Sequence, residues 1–124
     1  MKSNQFMGLL LGSFGIGTVL FPSILIQIAF QRVENPISPL ALLLAQYFGS
    51  QSFLAGTVMY FSTFTPETFK MLGIAVVPFV VADICIWLHN NEILTPLATG
   101  IDFVGNLLYI YLCYRGCNQS KIKK

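Results

Sequence analysis

Charge is nearly absent from the interior of this 124-residue chain, and its placement limits the fold more than any other feature. Lys2, Arg32, Glu34, Glu67, Lys70, Glu92, Arg115, Lys121, Lys123 and Lys124 lie at the ends or in short polar clusters. Between them run four apolar stretches, at about 6–30, 39–64, 71–89 and 94–114, whose only charged residues are Asp83 and Asp102. Each is near the roughly 20 residues that a helix needs to cross a hydrocarbon core about 30 Å thick. Strands of a membrane barrel would be about half as long and would alternate in polarity, which these stretches do not. Only 10% of the residues are charged, against roughly 25% in a soluble domain. This composition excludes a disordered chain, a nucleic-acid-binding domain and a small disulfide scaffold. The expected fold class is all-α: a polytopic membrane protein, one four-helix transmembrane bundle over residues 1–124.

Short loops make the helices two hairpins with antiparallel neighbours. Four crossings put both termini and the 65–70 loop on one side, with Lys2, Lys70, Arg115 and the three terminal lysines; the other side has only Arg32. The positive-inside rule then predicts cytoplasmic termini. The first stretch is too long for a signal-peptide core and no A-x-A-like site follows it, so it is read as a retained span. Cys85, Cys113 and Cys117 are too dispersed for a disulfide framework and are expected as free thiols.

Close approach of helices in a bilayer needs small residues. Gly8, Gly12 and Gly15 share one face of the first helix, and Ala45, Gly49, Ser52 and Gly56 share one face of the second. Pro22 and Pro78 each free a backbone carbonyl inside a span, which predicts a kink or an adjoining cavity. Trp87, Tyr109, Tyr111 and Tyr114 are read as anchors in the aromatic belts.

The two carboxylates are the sharpest chemical signal. An ionisable group inside a span costs several kcal/mol and turns to the bundle interior or to a water-filled cavity. Counted from the outer boundary at about 1.5 Å per residue, Asp83 lies about 9 Å deep and Asp102 about 12 Å, one level on antiparallel helices. Thr95, Thr99, Asp102, Asn106, Tyr109 and Cys113 form one helical stripe in the fourth span. Gln46 and Ser50 of the second span, and Ser23 and Gln27 of the first, fall at similar depth. A polar layer of Asp83, Asp102, Asn106, Gln46, Ser50 and Thr99, with Trp87 one turn from Asp83, is therefore expected. No Lys or Arg lies within a span to neutralise it, so the pair shares a proton, awaits a cationic ligand, or serves as interhelical glue.

No phosphate loop, zinc-ligand spacing or nucleophile–base order is present, and neither a metal nor a cofactor is expected. The first helix lacks the glutamate of small multidrug exporters. Phe61-Ser62-Thr63-Phe64 stands at the wrong end of its helix for the fluoride-channel signature. The run from Gly8 to Gly12 and on to Phe21-Pro22, with Gln46-Tyr47-Phe48-Gly49-Ser50-Gln51-Ser52-Phe53-Leu54-Ala55-Gly56, resembles the DoxX-like small four-helix membrane proteins of unknown function. Where that group often has a basic residue near the start of the second helix, this chain has Gln46 or Gln51. The resemblance implies the four-helix fold and no common activity.

The expected function is non-enzymatic: binding a small apolar or amphipathic molecule at the polar layer, or serving as an accessory or scaffold subunit. An enzyme using one carboxyl as acid on a lipid-soluble substrate, and a small proton-coupled transporter, stay open as alternatives. The lipid bilayer, a lipophilic ligand and a membrane-protein partner or second copy are the expected partners; nucleic acid is not. The endoplasmic reticulum and a bacterial inner membrane fit equally.

Overall fold

Proline sets the helix boundaries. Pro22, Pro39, Pro66 and Pro96 each open a helix, where the N–H that proline lacks would find no helical partner. Three of them follow a capping hydroxyl: Ser38, Thr65 and Thr95 accept from the N–H groups of Ala41, Thr68 and Ala98 at 3.1–3.2 Å. The structure is a computed structural model describing residues 1–89 and 93–122, with only the backbone of 121 and 122. The helices are α1 (Ser3–Leu20), α2 (Pro22–Ala29), α3 (Pro39–Phe61), α4 (Pro66–Leu88) and α5 (Pro96–Ile122). The expected turn at residues 90–92 and the lysines 123 and 124 lie outside the described residues.

The first expected span is not one helix. Steric conflict with the ring of Pro22 drives the preceding residue out of the helical region, and Phe21 takes φ −130°, ψ 55°. The axis turns by 104° there, so that α2 leaves α1 almost at a right angle. Two helices, α4 and α5, are long and apolar enough to cross a membrane, and α1 with α2 makes a third if the bent pair is one broken span. The 23-residue α3 carries no charge but is diluted by Gln46, Ser50, Gln51 and Ser52 and falls short on apolarity. The last helix also runs past the expected end at 114, because Gly116 lets α5 pass against the ring of Phe69. Pro78 lies within α4 without ending it.

The helices pack as two tight pairs. In the α1–α3 pair the glycine faces meet backbone to backbone. A methyl group on Gly15 would stand 2.6 Å from the carbonyl oxygen of Gly49, and one on Gly8 2.6 Å from that of Gly56. In the α4–α5 pair the contact is through side chains. Phe69, Leu72, Val76, Val80, Asp83 and Ile86 recur at three- and four-residue steps as the less exposed face of α4. Beyond Lys70 the opposite side of α4, including Ile74, Phe79, Ile84 and Trp87, is exposed and apolar, a surface suited to lipid rather than water.

Both ends tie the pairs together. At one end Met7, Phe69, Leu112 and Cys113 form the buried core, flanked by Met59, Phe64 and Tyr109. Asn4 is buried there and its amide donates to the carbonyls of Met59 and Ser62 at 3.0 and 2.8 Å, covering groups that the end of α3 leaves unused. At the other end the strand-like residues after α2 and before α5 form one antiparallel bridge, Phe30 with Leu94. Gln31 donates its N–H to Ile93 and its amide to Leu94, at 2.9 and 2.7 Å, and the Thr95 N–H donates to Ala29 at 2.8 Å. Asn4→Ala is expected to cost about 1–3 kcal/mol, since it strands buried carbonyls. Unfolding of the variant in mixed micelles measures this; a change under about 0.5 kcal/mol would show that water serves those carbonyls equally well.

Candidate functional site

Asp83 projects from the less exposed face of α4 into its seam with α5, and only 5% of it is accessible. A carboxylate so placed needs donors. The Asn106 amide on α5 supplies one, donating from Nδ2 to Asp83 Oδ2 at 2.9 Å. Asp102 lies one turn before Asn106 on the same helix, near the Asp83 carboxyl, and the bond described within this cluster is the one between Asn106 and Asp83. Asp83 lies five residues before the end of α4 and Asp102 six after the start of α5, about 8 and 9 Å along their helices. Those distances are similar, and the Asn106–Asp83 bond sets Asp83 against the turn of α5 that follows Asp102.

Their exposures differ. Asp83 is enclosed, whereas Asp102 is exposed at the lip of the seam. Thr99, next along the stripe, is buried and turns its hydroxyl back to the Thr95 carbonyl at 3.2 Å. Its own helix therefore satisfies it, and its hydroxyl hydrogen is not offered to Asp102. Among the described residues no Lys or Arg side chain lies in α4 beyond Lys70 or in α5 before Arg115, so no cation from either helix of the seam reaches this level.

The rest of the expected layer is placed elsewhere. Gln46 and Ser50 are exposed on α3, whose glycine face is committed to α1, and Ser50 donates to the Gln46 carbonyl at 2.9 Å. Ser50 lines a shallow groove with Ile16, Val19, Leu20 and Phe53, apart from the carboxyl pair. Matching depth could not fix which way each face turns, and the glycines decide it. Trp87 is 64% exposed and stands away from the seam, although it follows Asp83 by one turn. Tyr109 is no belt anchor: half-buried, it donates its hydroxyl to Met59 Sδ at 2.8 Å and bridges the two helix pairs.

Sequence reasoning missed Asn4 and the bonds that Gln31 and Thr95 make around the Phe30–Leu94 bridge. A signal for each was present: an amide in the first turn of an apolar helix, and polar residues flanking two turns on the same side. The three cysteines are free, and no cluster of three or more potential metal ligands occurs among the described residues. Comparison with protein-family models, curated proteins and solved structures gave no match to this chain.

Proposed function

We propose that this chain is an integral membrane protein whose helices make four crossings, with both termini cytoplasmic, and that the Asp83–Asp102–Asn106 cluster binds the polar head of a small amphipathic molecule. The observation that carries the reading is the unequal exposure of the two carboxyls. Asp83 is built in and held by Asn106, as a structural group would be, while Asp102 is left open at the same level with no cation from its own seam. A head group bearing hydrogen-bond donors, an amine above all, would complete Asp102 while its tail lay along the apolar outer faces of α4 and α5. Location of the ends supports the crossings: Ser3 reaches Gln119 and Asn4 reaches Ser62, which gathers Lys2, Lys70 and Arg115 toward one end of the molecule. The glycine motifs of α1 and α3 favour kinship with the DoxX-like group, which brings no activity with it.

Thermal unfolding of purified protein with a panel of lipids and amphipathic amines tests the site. At least one amine should raise the midpoint of the unaltered chain by several degrees, as saturation at about 100 times Kd would contribute about 2.7 kcal/mol. Asp102→Asn should abolish that rise while leaving the midpoint without ligand within a degree or two. An undiminished rise in the Asp102→Asn variant would remove the site and leave the cluster as glue within a scaffold.

A further inference from the structure

The outer face of α3 holds a group that no lipid can serve. Gln51 lies twelve residues after Pro39 in a 23-residue helix, about 18 Å along it and so near its midpoint. It is exposed, and among the described residues its side-chain amide has no hydrogen-bond partner. Its helical neighbours give it no outlet. Ser50 on one side is bonded to its own helix, and Leu54 and Tyr47 on the same face are each more than half exposed. An amide in hydrocarbon without a partner costs several kcal/mol, and mid-span it is too far from either surface to reach water.

The surrounding residues have a pattern of their own. Leu40, Leu44, Tyr47, Gln51, Leu54 and Val58 follow one another by four, three, four, three and four, the spacing of a seam between two helices. The five besides Gln51 are more than half exposed, on the side of α3 opposite the buried Gly49 and Gly56. Gln51 therefore sits in the middle of an apolar seam with its partner helix absent, the place where a single polar residue fixes register between helices.

We propose that this seam pairs with a second copy of the chain, α3 against α3, with the two Gln51 side chains hydrogen-bonded to each other across a two-fold axis along the membrane normal. The amide chemistry selects this occupant. Copies inserted in the same orientation are parallel, so equivalent residues meet at equal depth, and a primary amide carries both the donor and the acceptor its twin requires. An α3–α3 pair completes both amides with one surface of this molecule. The pairing rests on the reading that α3 crosses the membrane.

The experiment mixes full-length chain fused to donor and acceptor fluorophores in phosphatidylcholine vesicles, over a hundredfold range of protein-to-lipid ratio. Energy transfer should fall on dilution as a dimer dissociates. Gln51→Leu should need about tenfold more protein for the same transfer, Gln51→Asn should stay within about threefold of the unaltered chain, and Gln46→Leu should not change it. Unaltered association in Gln51→Leu, or no transfer from the unaltered chain at any density, overturns the pairing. The crossing is read separately, by mapping a membrane-impermeant maleimide on Gln51→Cys in intact vesicles by mass spectrometry. Labelling at position 51 overturns the crossing and the pairing with it; protection at 51 without energy transfer overturns the pairing alone.

Discussion

A Gly56→Leu variant is expected to lose about 3 kcal/mol of unfolding free energy, the upper part of the range for overpacking. The reason is the identity of what the new side chain meets. A Cβ on Gly56 would stand 2.7 Å from both the α-carbon of Gly12 and the carbonyl oxygen of Gly8. These are backbone atoms of a helix, which cannot turn aside as a side chain would. The only relief is to move α1 off α3, and that movement opens the whole seam because Gly8, Gly15 and Gly49 are pressed equally hard. Gly105→Ala is the control. A Cβ at Gly105 meets nothing within 4 Å, so alanine there should hold or raise stability by up to about 1 kcal/mol. Unfolding in mixed micelles of increasing denaturing detergent measures both. Equal small losses for the two glycines would mean that α1 and α3 are not in backbone contact.

Asn106→Leu is expected to cost about 3 kcal/mol, for a different reason. It removes the donor to a carboxyl that is 5% accessible, and leaves that carboxyl buried without its partner. Breaking a buried polar pair from one side leaves an uncompensated group, which costs more than the pair contributes. Replacing both partners should be far milder. Asp83→Leu combined with Asn106→Leu should recover at least half of the loss, since neither half of the bond is then left unpaired. The double-mutant cycle should show coupling above about 1 kcal/mol, well outside the range for independent sites. Additive losses would place the Asp83 carboxyl in water rather than in the seam.

Much of this arrangement was legible because single residues impose it. Charge placement marked the apolar helices, the small-residue steps of Gly8–Gly15 and Gly49–Gly56 named the faces that meet, and counting from the helix ends put Asp83 and Asp102 at one level. The break at Phe21 was foreshadowed by Pro22 but not its size, because steric exclusion from the helical region ends a helix without dictating where the next one points. Gln46 and Ser50 were misplaced for a related reason. Depth along a helix follows from residue count, whereas the direction a face turns depends on which neighbour takes the glycines, and that is a property of the assembled pairs. The extension of α5 past Arg115 was hidden as well, since a polar helix outside the bilayer and a polar tail have similar composition.

The bridge between Phe30 and Leu94 also orders events in time. Its partners are separated by more than half the chain, so α2 has only α1 and α3 to rest on until residues 93–95 have been made. A ribosome delivering this protein into a membrane completes α1 and α3 early, and their glycine seam can close at once. The end of α2 packs on that pair but waits for its backbone partners through the synthesis of α4. The first half of the molecule is thus fastened last, and a chain truncated before Ile93 would carry a closed helix pair with the end of α2 unbridged.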